Sequence, residues 1–303
     1  MRLFEDPKIE FINNRKIGYI ISGLLVLASF GAIIFKGLNF GIDFRGGTEI
    51  VVSFEGTSPN VVEIRNVLSE PLASTPEVKT FGEDVIIRTD SGLEGNALRT
   101  AILSTLNQQY SDNPSSIIKL DIVGPRFAED LRDAAAMSIF FALGIIFVYV
   151  LIRFKKWYFS LGAVAALFHD VIITLGIFTL FYEIMPFSLD IDQAIIAAFL
   201  TIVGYSLNDT VVVFDRIREN SLIFKTEAYD RMVNRSINNT LSRTVVTSMT
   251  TLIAVGVLFL FGGEVLKGLS FALILGVILG TYSSIFVASA LLVDLQLKKA
   301  EKS

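Results

Sequence analysis

Residues 194–214 read AIIAAFLTIVGYSLNDTVVVF, and this stretch decides the fold class. A transmembrane helix needs about 20 mainly apolar residues, and this stretch supplies them. One ionisable residue, Asp209, lies inside it. Ionisable groups at membrane depth are costly and usually face a protein interior or a water-filled cavity. We therefore expect a transmembrane helix that packs against other helices around Asp209.

Five further stretches have the same apolar character. Only the third span in chain order adds ionisable residues, His169 and Asp170. The apolar run of the first span is longer than the h-region of a signal peptide, about 7–15 residues, which predicts a retained anchor. The sequence thus predicts a polytopic α-helical membrane protein with six transmembrane helices. The other five spans are 17–35, 134–152, 158–182, 244–262 and 268–293.

The overall composition excludes several classes of protein. Of 303 residues, 52% are hydrophobic and 18% charged, whereas a soluble chain carries about 25% charged residues. The net charge of −4 argues against nucleic-acid binding, which needs a basic face. The chain has no Cys and one His, so we expect no metal site. It lacks a phosphate-binding G-x-x-x-x-G-K-[ST] motif, which argues against an ATPase. We also expect no cofactor and no enzymatic activity.

Lysine and arginine residues indicate the orientation of the spans. They cluster in segments 1–16, 153–156, 215–243 and 294–303, whereas the loop 183–193 has none. Basic residues in short loops favour the cytoplasmic side, so both termini are predicted to be cytoplasmic. Segment 215–243 is expected to hold an amphipathic helix at the inner surface, its basic residues meeting lipid headgroups and its apolar residues the bilayer. The apolar residues are Leu222, Ile223, Met232, Val233 and Ile237.

Residues 36–133 form the one water-soluble block, between spans one and two. Alternating and β-branched residues predict four strands, and helical spacing predicts two helices. The order βαββαβ is that of a ferredoxin-like α+β unit. We expect an external, periplasmic domain that binds or moves rather than catalyses. The predicted strands are 48–54, 76–81, 84–89 and 117–123, and the predicted helices are 59–70 and 94–109.

Two flanks of this domain carry special residues. After span one, Gly46 and Gly47 permit positive φ and close backbone approach. Asp43 and Arg45 could pair there, although a simple tight turn would explain the segment equally well. Before span two, Gly124 and Pro125 predict a hinge or helix start, with proline near the first helical turn.

The polar residues of spans four and five suggest a proton path. Asp209, Tyr205 and Thr201 are spaced by four, so they share one helix face. On span five, Arg243, Thr247 and Thr251 have the same spacing. A hairpin of the two spans could bring Arg243 towards Asp209. One interpretation is a titratable carboxylate in a proton path, and the other is a static bridge that only holds helices together.

Three further carboxylates have open or simpler interpretations. Asp170, beside His169, could relay protons, bond span four or face a partner helix. Asp190 and Asp192 precede span four, where negative charge favours a helix N-terminus, although an entry funnel for cations is the alternative interpretation.

Four segments together resemble the SecF family, the smaller subunits of the bacterial SecDF protein-translocation accessory complex. The family has one span, an external domain and then five spans, which matches the predicted layout. The segments are FGIDFRGGT at 40–48, VGP at 123–125, VGYSLNDTVVVFDRIREN at 203–220 and SRT at 242–244.

The resemblance implies more than the residues alone predict. SecF belongs to the RND superfamily, built from two six-span halves, so it implies a SecD-like heterodimer partner in the bacterial inner membrane. It also implies that the proton-motive force assists export of unfolded preproteins through SecYEG. Asp209 and Arg243 match the family's membrane carboxylate and arginine, with Asn208 and Thr247 as inferred neighbours. The coupling ion would be the proton, although sodium would leave much the same residues.

Two alternative functions remain at this stage. One is an RND-type proton-driven exporter of small molecules or lipids, which usually needs two large external loops. The other is a translocon assembly scaffold that transports nothing and needs no titrating Asp209.

Overall fold

The computed structural model describes residues 7–89, 91–93 and 95–300. Parts of three predicted segments lie outside the described residues: positions 1–6, 301–303 and the helix start at 94. The chain divides into two compact units. One is the membrane unit, with the chain up to Leu38, Met137–Phe181 and the chain from Ala194 onward. The other has Asn39–Ala136 and Tyr182–Gln193 and is called the external unit after its predicted location.

The described residues form mostly long helices and a four-stranded sheet. A π-helical turn, Ser284–Ser289, joins the last two helices. In chain order the elements are α1 (Arg15–Lys36), α2 (Ile42–Arg45), β1 (Gly47–Phe54), α3 (Val61–Ser69), β2 (Glu77–Phe81), β3 (Asp84–Thr89), α4 (Gly95–Gln109), β4 (Ser115–Val123), α5 (Pro125–Phe154), α6 (Trp157–Phe181), α7 (Gln193–Ile223), α8 (Tyr229–Phe261), α9 (Glu264–Ser283) and α10 (Ala290–Ala300).

Six helical segments of the described chain are long and apolar enough to cross a membrane, the number expected from sequence. Three of them extend well beyond their predicted spans. α5 begins at Pro125, α7 continues to Ile223 and α8 begins at Tyr229. The apolar run marks only the part of a helix that suits lipid, whereas the helix itself continues until a turn interrupts it.

The prediction of a separate surface helix in 215–243 is wrong. α7 and α8 share this segment and are joined by a short turn at 224–228. Met232, Val233 and Ile237 are buried in the core of the membrane unit, packed with residues such as Phe214. Three of the five apolar residues that suggested contact with lipid therefore pack inside the helical bundle, whereas Leu222 and Ile223 are exposed.

The external unit is a sheet with two helices packed on it. The strand order is β2-β3-β1-β4, and every neighbouring pair is antiparallel. Ile50 and Val52 of β1 lie two apart and therefore share one face of the sheet, where they pack with Ile64 of α3 and Ile102 of α4. Alternation on the strand and helical spacing on α4 build this core, as the sequence pattern suggested.

Gly46 and Gly47 both adopt positive φ, at +76° and +115°, where α2 turns into β1. A Cβ on Gly46 would lie 3.1 Å from Pro125 Cα. A Cβ on Gly47 would lie 3.2 Å from the Thr89 carbonyl oxygen. Both conformation and space favour glycine here, and the two special flanks meet because Gly46 packs against the first residue of α5.

Two further glycines bring α9 close to α7. A Cβ on Gly280 would lie 2.9 Å from Ser206 Cβ, and a Cβ on Gly276 would overlap Ile202. Small residues four apart let helix backbones approach closely inside a membrane. This approach places the residues after Gly280 beside the polar residues of α7.

Candidate functional site

Asp209 lies in the interior of the membrane unit, with 9% of its surface exposed. Thr244 Oγ1 of α8 donates to its Oδ1 at 2.7 Å. Ser284 Oγ, at the start of the π-helical turn, donates to its Oδ2 at 2.7 Å. Each carboxylate oxygen thus accepts a hydrogen bond from a neutral hydroxyl group on a different helical segment.

Arg243 lies near enough to act on Asp209 electrostatically, but the two form no ion pair within 4.0 Å among the described residues. The buried polar stripe of α8 contains Ser236, Thr240, Thr244 and Ser248. It is offset by one residue from the predicted stripe of Arg243, Thr247 and Thr251. A shift of one residue rotates a helical face by about 100°, so Thr244 faces Asp209 and Arg243 is exposed.

The other predicted neighbours of Asp209 have different positions. Tyr205 reaches the polar interior, where its hydroxyl donates to Ser248 Oγ at 3.4 Å. Asn208 is exposed, and so is Thr201, whose hydroxyl donates to the Ala197 carbonyl oxygen of its own helix. The four-residue spacing on α7 was therefore informative for Tyr205 alone.

A cavity of about 830 Å³ opens beside Arg243 in the membrane unit. Arg243 and Thr247 belong to its wall, and most of the other charged lining residues are basic. Two exposed predicted residues thus share a polar, water-accessible space. Its charged lining residues are Lys8, Glu10, Arg216, Glu227, Arg231, Arg235 and Arg243.

Asp170 is a second buried carboxylate, with no exposed surface. His169 Nδ1 lies 2.9 Å from its Oδ1. Its Oδ2 accepts hydrogen bonds from Ser206 Oγ at 2.7 Å and Ser283 Oγ at 2.8 Å. Of the three interpretations left open by the sequence, a hydrogen bond to span four is therefore present, through Ser206 of α7.

Four consecutive residues, Thr281 to Ser284, contact four different helices. Thr281 Oγ1 lies 2.6 Å from Ser248 Oγ of α8. The Tyr282 hydroxyl donates to the Gly18 carbonyl oxygen of α1 at 2.9 Å. Ser283 bonds Asp170 of α6 and Ser284 bonds Asp209 of α7. Successive side chains point about 100° apart, so a central helix can reach neighbours on all sides.

Sequence reasoning missed this run of hydroxyl groups. The signal was present as TYSS at 281–284 inside an otherwise apolar span. Hydroxyl residues are tolerated in membrane helices because they can bond their own backbone, so they attract less attention than charges do.

Asp190 belongs to a buried polar cluster in the external unit. Arg88 Nη1 lies 2.8 Å from its Oδ2, and Arg88 Nη2 lies 2.8 Å from Glu49 Oε2. The Tyr182 hydroxyl is within 2.8 Å of Asp190 Oδ1 and 2.9 Å of Glu77 Oε1. The expectation that Asp190 mainly favours the start of a helix is therefore wrong, because its carboxylate is paired with the sheet.

The charges of this cluster fix its protonation states. Burial alone would raise the pKa of Asp190, but the charges of Arg88 and Lys79 and the hydrogen bonds of Asp190 outweigh it and hold that pKa below its ordinary value. Burial opposes the charge of Arg88, yet Asp190 and Glu49 hold its pKa above the ordinary value. Burial and the two nearby carboxylates raise the pKa of Tyr182, which keeps its phenol proton.

Asp43 contacts the first residue of α7. Its Oδ2 accepts a hydrogen bond from the Gln193 backbone N–H at 2.9 Å. The Gly41 N–H donates to the Ile191 carbonyl oxygen, also at 2.9 Å. The suggested Asp43–Arg45 ion pair is absent from the described part of the chain, since residues two apart on a helix do not face each other.

Both buried membrane carboxylates are held by hydroxyl groups or imidazole rather than by a fixed cation. Among the described residues, no three His, Asp or Glu side chains group as metal ligands. Each carboxylate can accept a proton while its hydroxyl partners reverse from donor to acceptor. The arrangement is chemically suited to binding and releasing protons.

Comparisons with known proteins identify the family. The model of the protein export membrane protein SecD/SecF C-terminal family matches residues 102–298. The chain belongs to the SecD/SecF family of protein export membrane proteins. The SecD/SecF GG motif matches residues 31–58, a range that includes Asp43, Gly46 and Gly47.

SecF subunits of two bacteria align with this chain over nearly its whole length. The protein translocase subunit SecF of Rhodothermus marinus is 54% identical over 303 residues, covering 100% of this chain and 98% of that protein. The SecF subunit of Haemophilus influenzae is 40% identical over 296 residues, covering 97% of this chain and 88% of the other.

A solved structure shares the fold. The crystal structure of SecDF, a translocon-associated membrane protein from Thermus thermophilus, matches with a TM-score of 0.86 and 35% identity. The match covers 96% of this chain and 39% of the SecDF chain. A SecDF structure in a super-membrane-facing form matches with a TM-score of 0.73 and 34% identity over 99% of this chain and 40% of that one. This chain therefore spans about two fifths of the solved SecDF chains.

Proposed function

We propose that the chain is the SecF-type half of a SecDF-type complex that uses the proton-motive force to assist protein export. A SecD-like chain would supply the other half, SecYEG the channel and unfolded preproteins the cargo. The complex would lie in the bacterial inner membrane with both termini of this chain in the cytoplasm. Family membership and the match to two fifths of SecDF support this assignment.

The bonding of Asp209 carries the proposal. A carboxylate that is locked to an arginine stays ionised, whereas one held by neutral hydroxyls can gain or lose a proton with smaller rearrangement. Asp209 has the second arrangement, since Thr244 and Ser284 are its hydrogen-bond donors and Arg243 forms no ion pair with it. Movement of Arg243 towards or away from Asp209 would then favour release or uptake of a proton.

The cavity beside Arg243 would hold the water that such a path needs. Arg243 and Thr247 line it, while Tyr205 continues the polar chain inside the bundle through Ser248. We assign Asp209 and Arg243 as the central pair, Tyr205 and Thr247 as neighbours, and Asp170 as a second carboxylate of the path. Asn208, on the exposed side of α7, would face the partner half. The coupling ion in this proposal is the proton.

The external unit would be the periplasmic, ferredoxin-like domain whose motion is coupled to the proton. Its strand order, β2-β3-β1-β4, supports that fold assignment. α7 begins at Gln193, which Asp43 of the GG motif caps, and the same helix carries Asp209. We propose that this helix transmits the change at Asp209 to its capped end.

Preprotein maturation in cells depleted of the protein tests the proposal. Cells are complemented with wild type, Asp209→Asn or Asp215→Asn at matched membrane levels, and maturation is followed by pulse-chase. Asp215→Asn is the matched control. It makes the same chemical change on the same helix, but at a carboxylate that forms a partly exposed ion pair with Arg153. We expect only Asp209→Asn to fail. Full rescue by Asp209→Asn would make Asp209 a packing residue and favour the scaffold function.

A further inference from the structure

Ser283 and Ser284 each have two acceptors within reach of one hydroxyl. Ser283 Oγ lies 2.8 Å from Asp170 Oδ2 and 3.3 Å from the Gly280 carbonyl oxygen. Ser284 Oγ lies 2.7 Å from Asp209 Oδ2 and 3.0 Å from the Thr281 carbonyl oxygen. A serine hydroxyl carries one hydrogen, so it can satisfy only one of these acceptors fully at a time.

We propose that Asp170 and Asp209 titrate as one coupled pair, and that the adjacent hydroxyls of Ser283 and Ser284 connect them. This inference rests on the proposed function, in which Asp209 binds a proton, and it assigns Ser283 and Ser284 as positioning residues for that proton.

The hydrogen-bond exchange at each carboxylate balances. When Asp209 is ionised, Ser284 donates to its Oδ2. When Oδ2 is protonated, the carboxylic O–H donates to Ser284 Oγ, and the serine hydrogen turns to the Thr281 carbonyl oxygen. Ser283 makes the same exchange between Asp170 and the Gly280 carbonyl oxygen. No hydrogen bond is lost in either state, so the exchange avoids the cost of an unsatisfied buried group.

Both exchanges change the same turn of helix. The Gly280 and Thr281 carbonyl oxygens belong to the last turn of α9, directly before the π-helical turn. Ser289 Oγ donates to the Ser284 carbonyl oxygen at 2.7 Å within that π-helical turn. π-helical turns are short irregularities that are frequent at functional sites. A change of hydrogen bonding at one serine therefore alters the backbone that positions the other.

A second link runs along α7. Ser206 donates to Asp170, and Asp209 lies three residues later on the same helix, about 4.5 Å further along its axis. Gly280 packs against Ser206, so α7 and α9 are closely fitted at this level. The two carboxylates are thus joined by α7 on one side and by Ser283 and Ser284 on the other.

Other titratable groups face the pair and must be separated from it experimentally. His169 bonds Asp170 directly. Tyr282 stacks on the His169 ring at 5.9 Å between ring centroids. Tyr205 lies one helical turn before Asp209, and Arg243 of α8 acts on Asp209 electrostatically. None of these groups is altered in the variants below.

Infrared titration of the full-length chain with its SecD-type partner in nanodiscs tests the pair. The absorbance of protonated carboxyl groups is followed against pH, and the Asp209 step is identified by its loss in Asp209→Asn. We compare wild type, Asp170→Asn and Ser283→Ala. Ser270→Ala is the matched control, since Ser270 is a buried serine of α9 that donates to the backbone carbonyl of Leu266. Complex assembly is verified for every variant before titration.

We expect the Asp209 midpoint to move by about one pH unit in Asp170→Asn, as interacting titrations do. We also expect a smaller but resolved movement in Ser283→Ala and none in Ser270→Ala. If the midpoint of the Asp209 step were the same in wild type, Asp170→Asn and Ser283→Ala, the coupled pair would be overturned. The proposed proton role of Asp209 would stand. The absence of any Asp209 step would overturn both the pair and the proposed proton role.

Discussion

Ser283 and Ser284 are neighbours in the chain, yet their hydroxyls donate to two different buried carboxylates, Asp170 and Asp209. The two carboxylates come from different helices, α6 and α7. The junction of α9 and the π-helical turn therefore touches two buried carboxylates of the membrane unit. Changes at either acid act on a shared piece of backbone.

The hydroxyl of Thr244 should be required at Asp209. Thr244→Val keeps the shape of the side chain but removes the donor to Asp209 Oδ1. We expect the complex to lose about 1–3 kcal/mol of stability, because a buried acceptor loses its partner. Thermal unfolding of the purified complex measures the change.

Thr240→Val is the control for this variant. Thr240 is buried one turn earlier on α8 and donates to the backbone carbonyl oxygens of Ser236 and Ile237. Its loss should change stability much less. Equal effects of Thr240→Val and Thr244→Val would contradict a special role for the bond to Asp209.

The close approach of α9 to α7 should depend on Gly280. Gly280→Ala places a Cβ 2.9 Å from Ser206 Cβ, so one of the helices must move. Overpacking of this kind costs about 1–3 kcal/mol. Gly256→Ala on α8 is the matched control because a Cβ there meets no atom within 4 Å. We expect Gly280→Ala, but not Gly256→Ala, to lower the unfolding temperature of the complex and the rate of preprotein export. If Gly280→Ala changed neither quantity, the close approach of α9 to α7 would not be required.

The cluster around Asp190 should loosen in acid. The pKa of Asp190 lies below its ordinary value in the folded protein. The pairing of Asp190 with Arg88 therefore stabilises the fold above about pH 4, and this stabilisation is lost as the pH falls further. The protection of the loop 183–193 from hydrogen exchange, taken relative to the intrinsic exchange rate at each pH, should therefore fall in acid. Asp190→Asn should exchange faster at neutral pH, with a cost of about 2–3 kcal/mol for the lost pair with Arg88.

The acid response also supplies its own control. Asp190→Asn cannot be protonated, so the loop in this variant should show a much weaker dependence on pH than wild type. A loop whose exchange responds to acid equally in both proteins would assign the effect to other carboxylates.

Asp43 should act as a tertiary acceptor for the first backbone N–H of α7. Asp43→Ala removes the acceptor for the Gln193 N–H, and loss of a cap costs about 1 kcal/mol. Asp43→Asn keeps a side-chain oxygen and should retain most of the stability. Hydrogen exchange at the first turn of α7 distinguishes the two variants. If Asn and Ala behaved alike, the effect would come from the charge rather than from the cap.

The sequence was sufficient for the layout of the chain. Long apolar runs predicted six spans, and alternation predicted four strands, because these patterns report directly on lipid contact and on sheet burial. The same patterns failed for segment 215–243, because an amphipathic face packs equally well against lipid or a neighbouring helix. Met232 and Val233 pack in the protein core.

The bonding of the site could be predicted only in part. Asp209 was identified because a lone carboxylate is conspicuous inside an apolar run. Thr244 and Ser284 were missed because the rotation of one helix against another is set by packing, including that of Gly276 and Gly280. The pairing of Asp190 with Arg88 joins residues far apart in the chain, so no local pattern indicates it.

The most direct test of the central claim is proton movement through the complex. Liposomes that contain the chain with its SecD-type partner and a trapped pH-sensitive dye are given a pH difference, and internal pH is followed for wild type and Asp209→Asn. The account predicts that wild type dissipates the difference and that Asp209→Asn behaves like protein-free liposomes, with Asp215→Asn like wild type. Equal proton flux in wild type and Asp209→Asn would contradict the assignment of Asp209 as the proton-carrying carboxylate.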